Sequence, residues 1–569
     1  MANRFAAALS IVLAMPCSLT AQQGVLEVQD LVETEPRPLP FQRVFVDRAG
    51  SIMPGATERA WHRVSGEGHL MSLRADEDER SSRAWFTDDS LVATIATLRG
   101  SAQRNLSFLR LGSRVLLTTD YPEQLAVSLE QLRAALPPVV HLELRLERLT
   151  EEGAQVLLAG TVSFPNGETR TIADVARRGV VFELDAEIAT AASTGSPVVG
   201  SIAYGASIDA RARPLPFHDE AIVELVVRTA MPIAAEPLRF DSDLGELDRI
   251  ASRVDETGLT LRIARDAQTR HEWIAVDGSR VRLQCRASWE QRAAGAAPSP
   301  VTIVCSSLLG PPVLGFASIA ASEAQEPRAA TEIVPVVEHL RTSFGRDAVP
   351  LFEPGGEQGS GLLLLAGNGG EGFQRALDAE LTNALRAVDV QVELIDAAAG
   401  LEIGDSNLPE GARLVGGFGG PLLASLSACF ASAREQSYVR THEFEVAQAS
   451  RFPNPVIDIV EDGWFATLRV DGDRNGAPRS ASLDLSIAHL DELRVQASRA
   501  NRHSIGAAPD LSIALPSDQV RIERPIERKL PWRVDIPLDD TGLGLVRRSA
   551  TTLFGEGREL VVRVRATAP

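Results

Sequence analysis

The chain has 569 residues, a formal charge of −19, 44% hydrophobic and 23% charged residues, and an isoelectric point near 5.1. It is too apolar to be disordered and long enough for two or three packed domains. With 76 acidic side chains against 57 basic ones and a single lysine, Lys529, it lacks the basic surface of a nucleic-acid binder and any P-loop lysine. Ordinary glycine, proline and cysteine counts exclude collagen-like and disulfide-framework classes.

Residues 1–21 read as an export signal: Arg4, an apolar run from Phe5 to Met15, the helix-breaking Pro16, and small residues ending at Ala21. Met15 and Pro16 stand where a lipid-attachment motif before Cys17 would need small residues. The chain is therefore expected to be exported, to the periplasm, the outer membrane or the extracellular side. After signal removal no transmembrane helix is expected, because the longest apolar stretch, Leu308 to Ala321, is broken by Gly310, Pro311, Pro312 and Gly315.

Residues 22–111 are expected to form an N-terminal α+β module with a helical Ser90 to Leu98. A first unit, 112–307, opens with a helix over Glu123 to Leu136. It continues as half-buried strands at Phe182 to Ile188, Ile202 to Arg211 and Ala221 to Val227, where apolar and polar residues alternate. Two β-patterned segments near its end, Arg280 to Ala287 and Val301 to Ser306, would make a hairpin that opposes Cys285 and Cys305 as a disulfide, leaving Cys429 as an odd thiol of undefined role. A Pro/Gly/Ala-rich stretch, 308–330, reads as a linker, and a second unit, 331–569, opens with helices over Glu332 to Phe344 and Phe373 to Val388. Strands follow at Trp464 to Val470 and Ser482 to Ile487. The fold class expected is α+β: antiparallel β-rich sheets, a few helices, and two tandem copies of one unit.

The duplication rests on landmarks in the same order. Gly112-Ser-Arg-Val-Leu-Leu matches Gly359-Ser-Gly-Leu-Leu-Leu, and Val140-His-Leu-Glu-Leu matches Val390-Gln-Val-Glu-Leu. Glu187, Pro197 and Gly205 have the spacing of Glu445, Pro455 and Gly463. Asp255-Glu-Thr-Gly-Leu pairs with Asp539-Asp-Thr-Gly-Leu, and Asp277-Gly-Ser-Arg-Val with Glu556-Gly-Arg-Glu-Leu.

Chemical motifs are sparse. Gly367-Asn-Gly369-Gly-Glu-Gly372 has the form of a dinucleotide loop with Asp396 beyond it, but the first unit has no glycines there, so a strand-to-helix loop explains it as well. Asp471, Asp473 and Asn475 match the first half of a calcium loop, while position 482 is Ser482 and not the acid that would close it; a hairpin turn at Asn475-Gly476 is the alternative. The nine histidines, His141 and His442 among them, show no metal spacing, and the adjacent Asp539 and Asp540 would point to opposite faces of a strand. No resident cofactor is implied beyond that weak calcium candidate.

Several of these segments resemble the secretins, the outer-membrane ring proteins of type II and type III secretion and of pilus assembly. Val28-Gln-Asp-Leu-Val resembles the strand opening their N-terminal modules, and Val139 to Leu149 the strand opening the secretin domain. Asp277-Gly-Ser-Arg-Val-Arg-Leu and the closing Leu530-Pro-Trp-Arg-Val-Asp-Ile-Pro, before Leu553-Phe and Glu559-Leu-Val-Val, resemble later strands. The chain departs from that pattern in carrying the unit twice and in having only three tyrosines. The resemblance implies a non-enzymatic exported envelope protein, a structural or assembly component of a secretion or pilus system that works by self-association or by contact with envelope secretion components. A monomeric periplasmic or secreted binding protein is the alternative, and an exported enzyme with a site between the repeats a third reading.

Overall fold

A computed structural model describes residues 24–27, 61–64, 68–71, 91–92, 95, 107–111, 114–119, 122–135, 138–151, 153–164, 170–189, 192–215, 218–235, 238–239, 246–247, 249–290, 301–304, 348–352, 361–366, 379, 385–404, 408–424, 427–446, 451–472, 477–499 and 519–568. Sixteen strands build two eight-stranded antiparallel sheets. The first half supplies β1 (Val140–Thr150), β2 (Gly153–Phe164), β3 (Arg170–Ala189), β4 (Ala192–Pro214), β5 (Glu220–Pro232), β6 (Ala251–Ala264), β7 (Gln268–Ile274) and β8 (Arg280–Trp289). The second half supplies β9 (Ala387–Ala398), β10 (Arg413–Leu423), β11 (Ser427–Val446), β12 (Arg451–Gly472), β13 (Pro478–Arg499), β14 (Gln519–Pro537), β15 (Leu543–Ser549) and β16 (Arg558–Thr567). Each strand thus has its counterpart eight places later.

One sheet, of long strands, runs β14-β13-β12-β11-β6-β5-β4-β3; the other runs β15-β16-β9-β10-β7-β8-β1-β2. Their facing sides are apolar because the strands alternate: Val140, Leu142, Leu144 and Leu146 of β1 are buried while His141, Glu143 and Arg145 face out. These residues join Ile208, Leu225, Leu261, Phe430, Leu468 and Leu485 of the long sheet in a single core. The two halves share that core and both sheets, and do not close cores of their own.

A small three-stranded sheet precedes each set of eight. Residues 24–27, 114–119 and 107–111 form one, in that spatial order; residues 301–304, 361–366 and 348–352 form the other in the same order. The unit therefore begins near residue 24 and again near 301, and the strand Val301–Val304 belongs to the second copy. This moves the boundary between copies upstream of the expected linker, whose residues 308–330 lie outside the described residues, as do the expected helix 332–344 and most of the expected helix 373–388, whose last residues, Ala387 and Val388, are not helical but open β9. The expected first helix is present as α1 (Pro122–Ala135), which buries Leu125, Leu129 and Leu132 at one helical stripe.

The copies match in register. In the hairpin β3–β4 Gly205 pairs with Val175 and the ladder slips between Val181 and Glu183; in β11–β12 Gly463 pairs with Ala433 and the slip lies between Val439 and Thr441. Every one of these positions is offset by the same 258 residues, as Gly205 is from Gly463. The glycines are required: a Cβ at Gly205 would collide with the Asp174 carbonyl, and one at Gly463 with that of Ser432.

Two landmarks are corrected. The slip in β1–β2 falls after Leu146 and that in β9–β10 after Leu394, so Val140 corresponds to Val388, two residues before the sequence match at Val390. Asp255 lies within β6, whereas Asp539 stands in the turn between β14 and β15, where its Oδ1 accepts the amides of Thr541 and Leu543. Those hydrogen bonds, led by the Thr541 hydroxyl, lower the pKa of Asp539. Asp539 and Asp540 are thus turn residues and not strand residues.

Candidate functional site

The two copies meet along two seams, one in each sheet, and both differ from the strand pairs around them. In the long sheet β6 pairs with β11 over eight residues, from Ala251↔Gln436 to Gly258↔Cys429. Beneath this seam lies a buried charge. Asp255 points between the sheets, where its carboxylate takes the Ser432 hydroxyl at 2.6 Å, the Thr229 hydroxyl at 3.0 Å and an Arg148 Nη2 at 3.5 Å. Arg148 comes from β1 of the other sheet, so this pair ties the two layers together. Ser432, from the second copy, also accepts the amide of Val276 at 2.8 Å. Burial raises the pKa of Asp255 against the lowering influence of Ser432, Arg148 and Thr229; burial lowers that of Arg148, with Asp255 opposing.

The next residue, Glu256, faces the other side of the sheet and receives Arg228 Nε at 3.2 Å, while Arg228 Nη1 reaches Asp209 at 2.7 Å. Burial disfavours the Arg228 charge, but Glu256 and Asp209 outweigh it and raise its pKa. At the end of the seam the Ser437 amide donates to the Ile250 carbonyl at 2.7 Å and the Ile250 amide to the Ser437 hydroxyl at 2.8 Å. Arg249 of the first copy is held by the Ser437 carbonyl and by Glu523 of the second, at 3.0 and 2.6 Å.

The short-sheet seam is smaller and apolar. Only Glu272↔Gly419, Trp273↔Phe418 and Ile274↔Gly417 pair across β7 and β10. Phe418 stacks on Phe430 with centroids 3.9 Å apart and lies 6.1 Å from Trp464. Glycine makes this approach possible, since a Cβ on Gly416 would stand 2.6 Å from the Trp464 ring nitrogen. His271 is enclosed beside Gly420, and burial lowers its pKa to about 3, outweighing the Pro421 backbone.

Among the described residues each sheet ends in strands that pair on one side only, β3 and β14 in the long sheet and β2 and β15 in the short one. The Ile250–Ser437 bonds show that even-numbered residues of β6 turn their amides toward β11. β14 follows β6 by 275 positions, because Pro232↔Ser252 of β5–β6 recurs as Leu490↔Glu527 of β13–β14, with β13 following β5 by 258. Odd-numbered residues of β14 therefore turn outward, and among them are Pro525, Pro531 and Pro537, which have no N–H to offer. Arg548 donates to the Pro531 carbonyl at 2.6 Å and lies 6.0 Å over Trp532.

The residues singled out from sequence are not gathered at this place. Asp471, near the end of β12, has both carboxylate oxygens on the Arg469 guanidinium, at 3.1 and 3.2 Å; Asp473 and Asn475 lie outside the described residues. Among the described residues no three His, Cys, Asp or Glu side chains are grouped as a metal site. The expected hairpin around Cys285 and Cys305 is not formed. Both edges of β8 are taken, by β7 and β1, and Val301–Val304 pairs in a different sheet. Cys285 is a free thiol in the core whose pKa burial raises; Cys305 lies outside the described residues. Cys429 is a partly buried free thiol 3.5 Å from the Thr467 hydroxyl. Burial pushes its pKa up to about 11.

Gly367, Gly369 and Gly372 are outside the described residues, and Asp396 is held by Arg558 at 2.7 Å and Arg413 at 3.3 Å. His141 bonds Ser163 at 2.7 Å; the His442 side chain is outside the described set. No helix among the described residues is long and apolar enough to cross a membrane. The seam residues Arg148, Thr229, Asp255 and Ser432 were missed. The signal for two of them was present, Arg148 and Asp255 being charged residues that interrupt inward-facing apolar positions on β1 and β6. No protein-family model matches the chain, and no curated protein matches it either.

Proposed function

We propose that this chain is a non-enzymatic, exported structural component of an envelope assembly, of the kind the secretin resemblance implies, and that it works by self-association or by contact with envelope secretion components. One observation carries the reading: the two copies join head to tail through both sheets. In each sheet the edge strand of the first copy, β6 or β7, pairs with the opposite edge strand of the second, β11 or β10, so the chain as a whole keeps one edge of each kind in each sheet. A contact of this heterologous type does not use itself up, and exposed edges accept further strands. The alternative, a monomeric periplasmic or secreted binding protein, is favoured by the outward prolines of β14 and by the Arg548 cap on Pro531, devices that blunt a sheet edge. Light scattering on the mature protein, in soluble and in detergent-extracted envelope fractions, tests the two. A multimer in the envelope fraction supports assembly. A monomer in both fractions overturns it.

A further inference from the structure

We infer that the partner at the free edges is a second copy of this chain, joined in the register that the internal seam already displays. This inference rests on the assembly reading above. Carrying Ala251–Gly258 forward by 275 positions and Gln436–Cys429 back by 258 sets residues 526–533 of β14 against residues 178–171 of β3 in the next copy. The same transfer of the short seam sets Arg547, Arg548 and Ser549 of β15 against Thr161, Gly160 and Ala159 of β2 in the next copy. One displacement satisfies both sheets, since both seams already coexist within the chain.

Three observations support this occupant. Apolar side chains line the core at both ends without being fully buried: Leu157, Val162 and Ile172 at one, and Trp532, Val534 and Val546 at the other. The register would bring Trp532 opposite Ile172, continuing the core from copy to copy. Second, the edges are chemically compatible. None of the eleven pairs sets like charges opposite one another, which would oppose strand pairing. Third, the blunting is incomplete. Of the four outward amides in the window, at residues 527, 529, 531 and 533, only Pro531 lacks its N–H, and residues 171–177 of β3 contain no proline.

The joined state differs from the internal seam in one respect that sets its strength. Leu530 stands where Asp255 does, Asp174 where Ser432 does, and Asp396 where Arg148 does, by the same offsets. No buried ion pair would form there, and Arg548 would have to leave the Pro531 carbonyl. Chains therefore alternate a fixed seam that holds an ion pair with a separable one in which Asp174 has no cation opposite it.

Disulfide trapping in the full mature chain tests this. Arg528 and Ala176 would form a non-hydrogen-bonded pair with Cα atoms about 4.5 Å apart, a span a disulfide bridges. After mild oxidation, Arg528→Cys with Ala176→Cys should give a ladder extending beyond dimers on a non-reducing gel. Neither single variant nor the unaltered chain should give it, and Arg528→Cys with Ile172→Cys, displaced by about 13 Å, should remain uncrosslinked. Should the first pair lower the melting temperature, Lys529→Cys with Val175→Cys, a facing pair about 5.5 Å apart, gives the same readout. No ladder from either pair in a chain that light scattering finds multimeric overturns the inference and leaves the assembly reading standing. A ladder of equal strength from the displaced pair also overturns it. A ladder from a protein absent from the envelope fraction upholds the inference and removes the reading.

Discussion

The two internal seams join the same pair of units by opposite chemistry. In the long sheet the join is wide and polar, with Asp255, Arg148, Ser432 and Thr229 sealed between the layers. In the short sheet it is three residues wide and rests on Trp273, Phe418, Phe430 and two glycines. Apolar packing is adhesive without being selective, whereas a buried charge tolerates only the arrangement that pairs it. The long seam thus sets which strands meet, and the short seam supplies contact area. The largest effect should come from breaking that pairing by one side only. Arg148→Met leaves the Asp255 carboxylate enclosed with no cation and should cost about 3–5 kcal/mol in denaturant unfolding. Adding Asp255→Leu should recover most of the loss. If the double variant is as weak as the single, the charge is not what is being paid for at this seam.

The short seam should instead respond to size. Gly416→Ala forces a methyl to within 2.6 Å of the Trp464 ring nitrogen and should cost about 1–3 kcal/mol. Gly404→Ala, which meets nothing within 4 Å, should change stability by less than about 0.5 kcal/mol. Equal costs at the two positions would show that backbone freedom, not the close approach, keeps glycine at 416.

How far the sequence revealed this arrangement differs from element to element. The β3–β4 and β11–β12 hairpins were legible because Gly205 and Gly463 meet a neighbouring backbone so closely that no other residue fits, and such a constraint leaves a mark at fixed spacing. The β1 and β9 match was displaced by two residues because an alternating strand looks the same after a slip of two. The Asp255 and Asp539 match failed because Asp-x-Thr-Gly suits both a strand carrying a buried acid and a turn that caps its own amides. Pairing of residues 280–287 with 301–306 was expected from nearness in sequence. The sheet closes instead on strands more than a hundred residues away, Val140–Thr150 among them, and that choice is made by the whole core.

Acid should separate the seams further, because their titrating groups respond with opposite sign. His271 stays neutral in the folded chain down to about pH 3, while the unfolded histidine takes a proton below about pH 6.5. Between those values the unfolded state binds more protons, so stability falls as pH falls, by up to about 1.4 kcal/mol per pH unit. Asp255 has its folded pKa raised, so the folded state takes up this proton before the unfolded one, and stability rises as pH falls through that value. His271→Gln should flatten the acid loss, and Asp255→Asn should steepen it. Denaturant midpoints measured from pH 7 to pH 4 would show this, and parallel curves for the two variants would refute the assignment.

The smallest effect is kinetic and reads the long seam from its end. Cys429 stands opposite Gly258 at the last pair of β6 and β11. Thiol reagents attack the thiolate, and a pKa near 11 leaves about one molecule in ten thousand ionised at pH 7, so labelling of the closed chain should be slow. Opening of β6 from β11 wets the sulfur and returns it toward an ordinary thiol, so the labelling rate follows the fraction of time the seam is open. Arg148→Met should raise that rate, and Gly416→Ala should raise it less for the same loss of global stability, because its methyl meets Trp464 on β12 and removes no partner from the β6–β11 pairing. Identical acceleration by the two variants would mean that both seams open together and that the chain parts as one unit.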